Sequence, residues 1–285
     1  MASVLCITGM HRSGTSLTAS WLQRCGVTID DGDLYGAGPG NPYGHFEDVQ
    51  FVDLHRRFLL RQVPGSRGWM VTEGTPFRLD EASISLARQL ISHRDARYAC
   101  WGWKDPRSVL FLETWKALIP DLKVLLLWRP CHDVARSLWK RKRQTRSRDY
   151  QIGRWQAIRV WRAHTQQVLA YRHRHPDESL LVSIYDLVER DQELLERINR
   201  RWGFGLRWQS VQEVYDRKVL QAGPRTWFVR AIAGAMGIPQ WERALQAAAE
   251  PLDVAADGVI RPDVSEPRRR GQCAGRSSDS RERPA

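Results

Sequence analysis

The sequence contains no apolar run long enough to cross a bilayer; the longest, residues 124–128, has the length of a strand. The apolar segment at residues 4–8 begins almost at Met1 and leaves no room for a secretory leader, so the expected location is the cytoplasm. Cysteine is sparse. Cys6, Cys25, Cys100, Cys131 and Cys273 are widely spaced and include no C-x-x-C pair, which argues against a disulfide framework and a thiolate zinc site. Acidic residues are also in deficit: 32 Asp and Glu face 44 Lys and Arg, a formal charge of +12. Such an imbalance implies an anionic partner, without saying whether it is nucleic acid, a membrane surface or a small phosphorylated molecule.

The most informative absence is a single lysine. "VLCITGMHRSGTSLTASWL" reads as a short strand, a glycine-bearing turn and the start of a helix, which is the setting of a phosphate-binding loop. Thr15 stands where a nucleoside-triphosphate loop keeps its lysine. The backbone cradle survives, because Gly14 permits close approach and a helix starting near Thr15 aims its positive end at an anion. The charge has moved to Arg12, two residues before Gly14, whose guanidinium brings a fork of donors from the near side.

What is present reads as a globular chain, 42% hydrophobic and 27% charged. Strand-like runs at residues 4–8, 98–103, 123–128 and 179–185 alternate with helical segments. Residues 48–62 carry Phe51, Leu54 and Phe58 at helical spacing, and residues 81–93 carry Ile84, Ala87 and Ile91. Pro130 opens a basic helix at its first position. A long helix at residues 150–174 places Trp155, Ile158, Trp161, Thr165 and Val168 on one face, which reads as core rather than a sugar platform. The pattern predicts an α/β protein of P-loop type, three layers with a central parallel sheet flanked by helices. Residues 30–43, rich in Gly, Asp, Pro and Asn, form a loop long enough to suggest a functional role. One domain over residues 1–250 is expected, followed by a disordered tail at 251–285 whose Arg, Ser, Gly and Pro cannot bury enough apolar surface.

His11-Arg12-Ser13-Gly14-Thr15-Ser16 resembles the 5′-phosphosulfate loop of sulfotransferases, in which a basic residue precedes Ser-Gly-Thr-Thr or Ser-Gly-Thr-Ser. That family uses 3′-phosphoadenosine 5′-phosphosulfate (PAPS) without magnesium, so the resemblance implies this co-substrate, no metal, and a binding loop of Arg12, Ser13, Gly14, Thr15 and Ser16. The family holds the 3′-phosphate with an arginine at a strand end and a serine eight residues on; "VLLLWRPCHDVARSLWKRK" supplies Arg129 and Ser137 at that separation. "LLVSIYDLVER" is similar to the family's Tyr-Glu-Asp-Leu segment and aligns Tyr185 with a tyrosine near the adenine. "GWKDPRS" resembles the Lys-Asp-Pro-Arg segment of bacterial and carbohydrate-type members. The resemblance covers roughly residues 4–203. The Arg-Lys-Gly-x-x-Gly loop of small-phenol enzymes is absent, Arg217-Lys218 being a faint echo.

The resemblance implies sulfuryl transfer to a hydroxyl or amine. The histidine that small-phenol enzymes place two residues after a strand-end lysine is missing, since Pro106 occupies its position after Lys104. "GNPYGHFEDVQFVDLH" resembles the bacterial and carbohydrate segment in which a glutamate follows an aromatic residue and opens a helix, making Glu47 the expected base, with His45 and Asp105 as alternatives. Lys104 is expected near the transferring sulfuryl, or in a structural ion pair. The glutamate pattern leans towards a saccharide or glycan acceptor. Two other readings stay open. Asp186, at the end of an apolar run, could serve a small-molecule kinase, and Lys140, Arg141, Lys142, Arg143 and Arg146 could form a nucleic-acid patch, although electrostatic attraction of a polyanionic donor explains them too.

Overall fold

A computed structural model describes residues 2–29, 31–36, 44–72, 77–214, 234–249 and 251–252. Its elements are β1 (Ser3–Gly9), α1 (Thr15–Cys25), α2 (Val49–Gln62), α3 (Glu81–Arg97), β2 (Cys100–Lys104), α4 (Leu112–Leu118), β3 (Lys123–Trp128), α5 (Cys131–Gln144), α6 (Arg154–Arg174), β4 (Ser179–Ser183), α7 (Ile184–Glu189), α8 (Asp191–Trp202) and α9 (Ile238–Ala248). The four strands form one sheet in the order β2-β1-β3-β4. Every pairing is parallel, with Ser3 opposite Cys100, Leu5 opposite Lys123 and Val124 opposite Ser179.

Alternation along the central strands creates the two faces. Val4 and Cys6 of β1, with Val124 and Leu126 of β3, join a core shared with α2, α5 and α6. Leu5 and Ile7, with Leu125 and Leu127, join a second core shared with α1, α7 and α8. A strand buried on both sides must be apolar at consecutive positions, which is why residues 124–128 read as an unbroken run. At Gly9 the backbones of β1 and β3 approach so closely that a Cβ would lie 2.1 Å from the Leu127 carbonyl oxygen. The chain therefore leaves β1 through a glycine at the edge of the crevice where open parallel sheets bind ligands.

An aromatic cluster fixes α2 against β2. Phe51 stacks on Trp103 with ring centres 4.7 Å apart, and Trp115 of α4 packs 5.0 Å from Trp103. The Asp48 carboxylate caps α2 by accepting from Gln50 N at 2.9 Å. Cap and cluster together set the start of α2 beside the end of β2.

The predicted α/β architecture is observed, with boundary corrections that have local causes. The last strand stops at Ser183 rather than continuing to residue 185, because the Ser183 hydroxyl accepts from Tyr185 N and starts α7. Asp186 thus lies on a helix and not at a strand end. Tyr98 caps the end of α3, moving the second strand to Cys100–Lys104. Pro130 is the residue before α5 rather than its first turn. The long helix begins at Arg154, and Trp155 on it is exposed while Trp161 is buried. Residues 37–43, Arg217-Lys218 and the tail from residue 253 lie outside the described residues.

Candidate active site

The loop after β1 turns back on itself through Ser13 N donating to Met10 O at 3.1 Å. Arg12 adopts a left-handed φ of 70°, an uncommon conformation for a residue with a side chain. At Gly14, φ is 92° and a Cβ would lie 2.4 Å from Ile184 Cδ1, so the turn tolerates glycine alone. Gly14 also precedes α1 without any side-chain cap, which leaves the helix start to other acceptors. Thr15 is buried at that first position, and Ser16 follows it half-buried. Ser13 Oγ is fully buried and has no hydrogen-bond partner among the described residues.

This loop meets the end of β3 directly. Arg12 Nε donates to Ser137 Oγ at 2.9 Å, and Arg129 Nη1 reaches the Arg12 carbonyl at 3.5 Å. Arg129 Nε donates to the Tyr185 hydroxyl at 3.2 Å, which donates in turn to Asp133 Oδ2 at 2.7 Å. Arg12, Arg129, Ser137 and Tyr185, drawn from four separate segments, thereby form one connected group.

A second group lies at the start of α2. Residues 33–36 and 44–48 run as a short antiparallel ribbon, with Leu34 bridged to Asp48 and Tyr35 N donating to the Glu47 carbonyl at 2.9 Å. The ribbon turns Glu47 inward. Its Oε1 accepts from Lys104 Nζ at 2.7 Å, and its Oε2 lies 3.8 Å from Arg107 Nη1. Lys104 is 1% exposed, and burial pushes its ammonium below the usual range although Glu47 opposes the shift.

Asp105 points the other way, into the core. It accepts from His55 Nδ1 at 2.8 Å, and its second oxygen accepts from Arg107 N and Nη1 at 2.9 and 2.8 Å. Burial alone would raise this carboxyl, but the Arg107 charge and the His55 hydrogen bond outweigh it and hold it well below the carboxylate range.

The electrostatics are lopsided towards cations. Burial, then the charges of Arg141 and Arg129, push the Arg12 guanidinium down to about 10 against the opposing pull of Glu47. Arg141 is 7% exposed, its charge is disfavoured by burial, and its Nε has no hydrogen-bond partner among the described residues. Its guanidinium lies 3.6 Å over the Tyr150 ring. His45 is pushed down to about 4, chiefly by burial, so it carries no charge at neutral pH.

Sequence reasoning missed Arg107 and His55, and named Arg141 only within a basic run read as a solvated face. Arg141 stands one helical turn beyond Ser137, a spacing that places both on one face of α5. Arg107 sits in the Lys-Asp-Pro-Arg segment itself. Nothing local marks His55, whose partners Asp105 and Trp115 are 50 and 60 residues away. The inward Arg141 also splits the basic run at 140–146, of which Lys140, Arg143 and Arg146 are exposed.

The four-stranded parallel sheet flanked on both faces by helices defines the class as a layered α/β protein. The sulfotransferase family model matches residues 5–210, and the chain belongs to that family. Among solved structures it is similar to the sulfotransferase domain from the curacin biosynthetic pathway, with 14% identity, a TM-score of 0.45, and coverage of 83% of this chain and 98% of that one. The sulfotransferase STF1 from Mycobacterium tuberculosis matches at 13% identity and a TM-score of 0.45, over 87% of this chain and 77% of that one. The sulfotransferase domain of a Synechococcus olefin synthase matches at 17% identity and a TM-score of 0.46, over 87% and 93%. No curated protein matches the chain. Among the described residues, no helix is long and apolar enough to cross a membrane, and no group of three or more His, Cys, Asp or Glu is arranged to hold a metal.

Proposed function

We propose that the protein transfers a sulfuryl group from PAPS to a hydroxyl or amine of an acceptor, with Arg12, Ser13, Gly14, Thr15 and Ser16 at the 5′-phosphosulfate and Arg129 and Ser137 at the 3′-phosphate. The observation that carries this reading is that Arg12 contacts Ser137 and Arg129 while burial, then the charges of Arg141 and Arg129, depress its guanidinium. Gathering cations out of water is unfavourable unless a polyanion joins them. Ser13 Oγ and Arg141 Nε, which have no hydrogen-bond partner among the described residues, fit such a ligand.

Bound PAPS supplies an activated sulfuryl group. Glu47 takes the acceptor proton as the new oxygen–sulfur or nitrogen–sulfur bond forms and the bond from sulfur to the phosphate oxygen breaks. Glu47 is favoured over Asp105 because both Asp105 oxygens are engaged in the core. Lys104 orients Glu47 and places a cation beside the transferring group. Tyr185 braces Arg129 near the adenine. The acceptor is a saccharide or another hydroxyl-bearing metabolite, and the working compartment is the cytoplasm.

The deciding experiment compares thermal shifts with 3′-phosphoadenosine 5′-phosphate (PAP), ADP, ATP and ATP plus magnesium. At a hundredfold excess over Kd, PAP adds about 2.7 kcal/mol, which moves Tm by roughly 5–10 °C in a domain of this size. Equal shifts for PAP and ADP, or a larger one for ATP with magnesium, would overturn the assignment and revive a kinase.

A further inference from the structure

Behind Glu47 runs a sealed polar chain that the transfer chemistry above does not use. The Trp115 indole N–H donates to His55 Nε2 at 2.9 Å. An indole nitrogen can only donate, so Nε2 must be the bare nitrogen and the ring proton sits on Nδ1, facing Asp105 Oδ2 at 2.8 Å. The ring is clamped flat against Phe111, with centres 4.9 Å apart and planes 8° from parallel. His55, Asp105 and Trp115 are all fully buried.

The other Asp105 oxygen grips Arg107 twice, through N and Nη1, and Arg107 Nε donates to the Gly68 carbonyl at 2.8 Å. The guanidinium is thus held at two edges, and Nη1 faces Glu47 Oε2 at 3.8 Å. A buried imidazole with both nitrogens committed and a carboxylate with three donors is a costly arrangement for a core that aromatic packing already holds together. Its visible consequence is to aim one cation at one carboxylate.

We propose that His55 and Asp105 are positioning residues for sulfuryl transfer, fixing the Arg107 guanidinium so that Arg107 and Lys104 together hold the Glu47 carboxylate in its working orientation. This rests on the sulfotransfer reading above and adds residues to it. Lys104 holds Oε1 and Arg107 faces Oε2, so loss of the Arg107 anchor frees the carboxylate to rotate. The damage is expected to fall on turnover, because the side-chain hydrogen bonds of His55 and Asp105 run to Trp115 and Arg107.

Three measurements test it. Ring-nitrogen NMR of the full chain is expected to show the His55 proton on Nδ1; a proton on Nε2 refutes the chain of donation without any variant. PAPS turnover with water as acceptor is expected to fall on the order of 10–100-fold in His55→Leu, while calorimetric PAP affinity stays within about twofold. His55→Asn, whose amide can replace the Nδ1 donor, recovers most of the rate. A folded His55→Leu with wild-type turnover, or an equal loss of PAP affinity that His55→Asn does not recover, overturns the proposal. If His55→Leu does not fold, Arg107→Lys, which keeps the charge and loses the fork, decides on the same two readouts. Wild-type protein that fails to bind PAP strikes the sulfotransfer reading instead, and leaves the NMR result standing.

Discussion

Arg12 Nε donates to Ser137 Oγ at 2.9 Å, so the loop after β1 and the helix after β3 share a hydrogen bond across the crevice. The two segments, 125 residues apart in the chain, are in contact. The proposed function places the two phosphates of one adenosine-based donor on these neighbouring segments.

This contact gives a prediction with two opposing signs. Arg12→Met keeps the volume and removes one of the mutually repelling cations. PAP affinity is expected to fall at least about tenfold, through loss of a charge-assisted contact, while the ligand-free protein keeps its Tm. Isothermal calorimetry and a melting curve on the same sample check both. A large drop in ligand-free Tm would mean that Arg12 is a structural arginine, satisfied by Ser137 alone.

Glu47→Gln preserves shape and removes the proton acceptor. Turnover of PAPS is expected to fall about 10²–10⁴-fold, the usual contribution of a positioned base, with PAP affinity unchanged within about twofold. Should Glu47→Gln keep wild-type turnover, His45 becomes the leading base, since at about 4 it is uncharged and able to accept a proton at neutral pH.

The sheet and the tight turn after β1 were legible because their signals are local. Residues 123–128 announce a doubly buried strand, and Arg12-Ser13-Gly14 announces a turn that needs a glycine. Arg129 and Ser137 were legible through their fixed separation on a strand end and a helix. Arg107, His55 and Trp115 were not, because their roles arise from contacts that α2, β2 and α4 make only once folded. Trp155 misled, since helical spacing alone does not say where the burying neighbour ends, and the first turn of α6 projects into solvent.

His164 makes stability depend on pH. Its Nδ1 lies 2.9 Å from the Val160 carbonyl, its Nε2 has no hydrogen-bond partner among the described residues, and burial pushes the ring down to about 4. An unfolded histidine takes up its proton near 6.5, so between about pH 6.5 and 4 the unfolded chain holds more protons than the folded one. Stability is therefore lost as pH falls through that window, at up to about 1.4 kcal/mol per pH unit from this group. Urea unfolding at pH 7, 6 and 5 is expected to show that slope, and His164→Leu to flatten it. An unchanged slope in the variant would assign the effect to other groups, His11 and His45 first.

Arg94 makes a prediction about the segment that carries Glu47. This buried arginine of α3 pairs with both Asp31 and Asp48. Asp31 stands before the ribbon and also accepts from the Tyr98 hydroxyl and faces His93, while Asp48 ends the ribbon and caps α2. One guanidinium thereby ties together both ends of the segment that turns Glu47 inward. Arg94→Leu leaves two carboxylates in a buried setting without their shared cation, a loss expected to cost about 3–5 kcal/mol of unfolding free energy. Arg94→Lys restores the charge but cannot span two carboxylates at once, so stability should recover in part while turnover of PAPS stays low. Denaturant unfolding together with PAPS turnover separates these effects. Full recovery of turnover in Arg94→Lys would show that charge alone, and not the two-ended tie, holds the Glu47 segment in place.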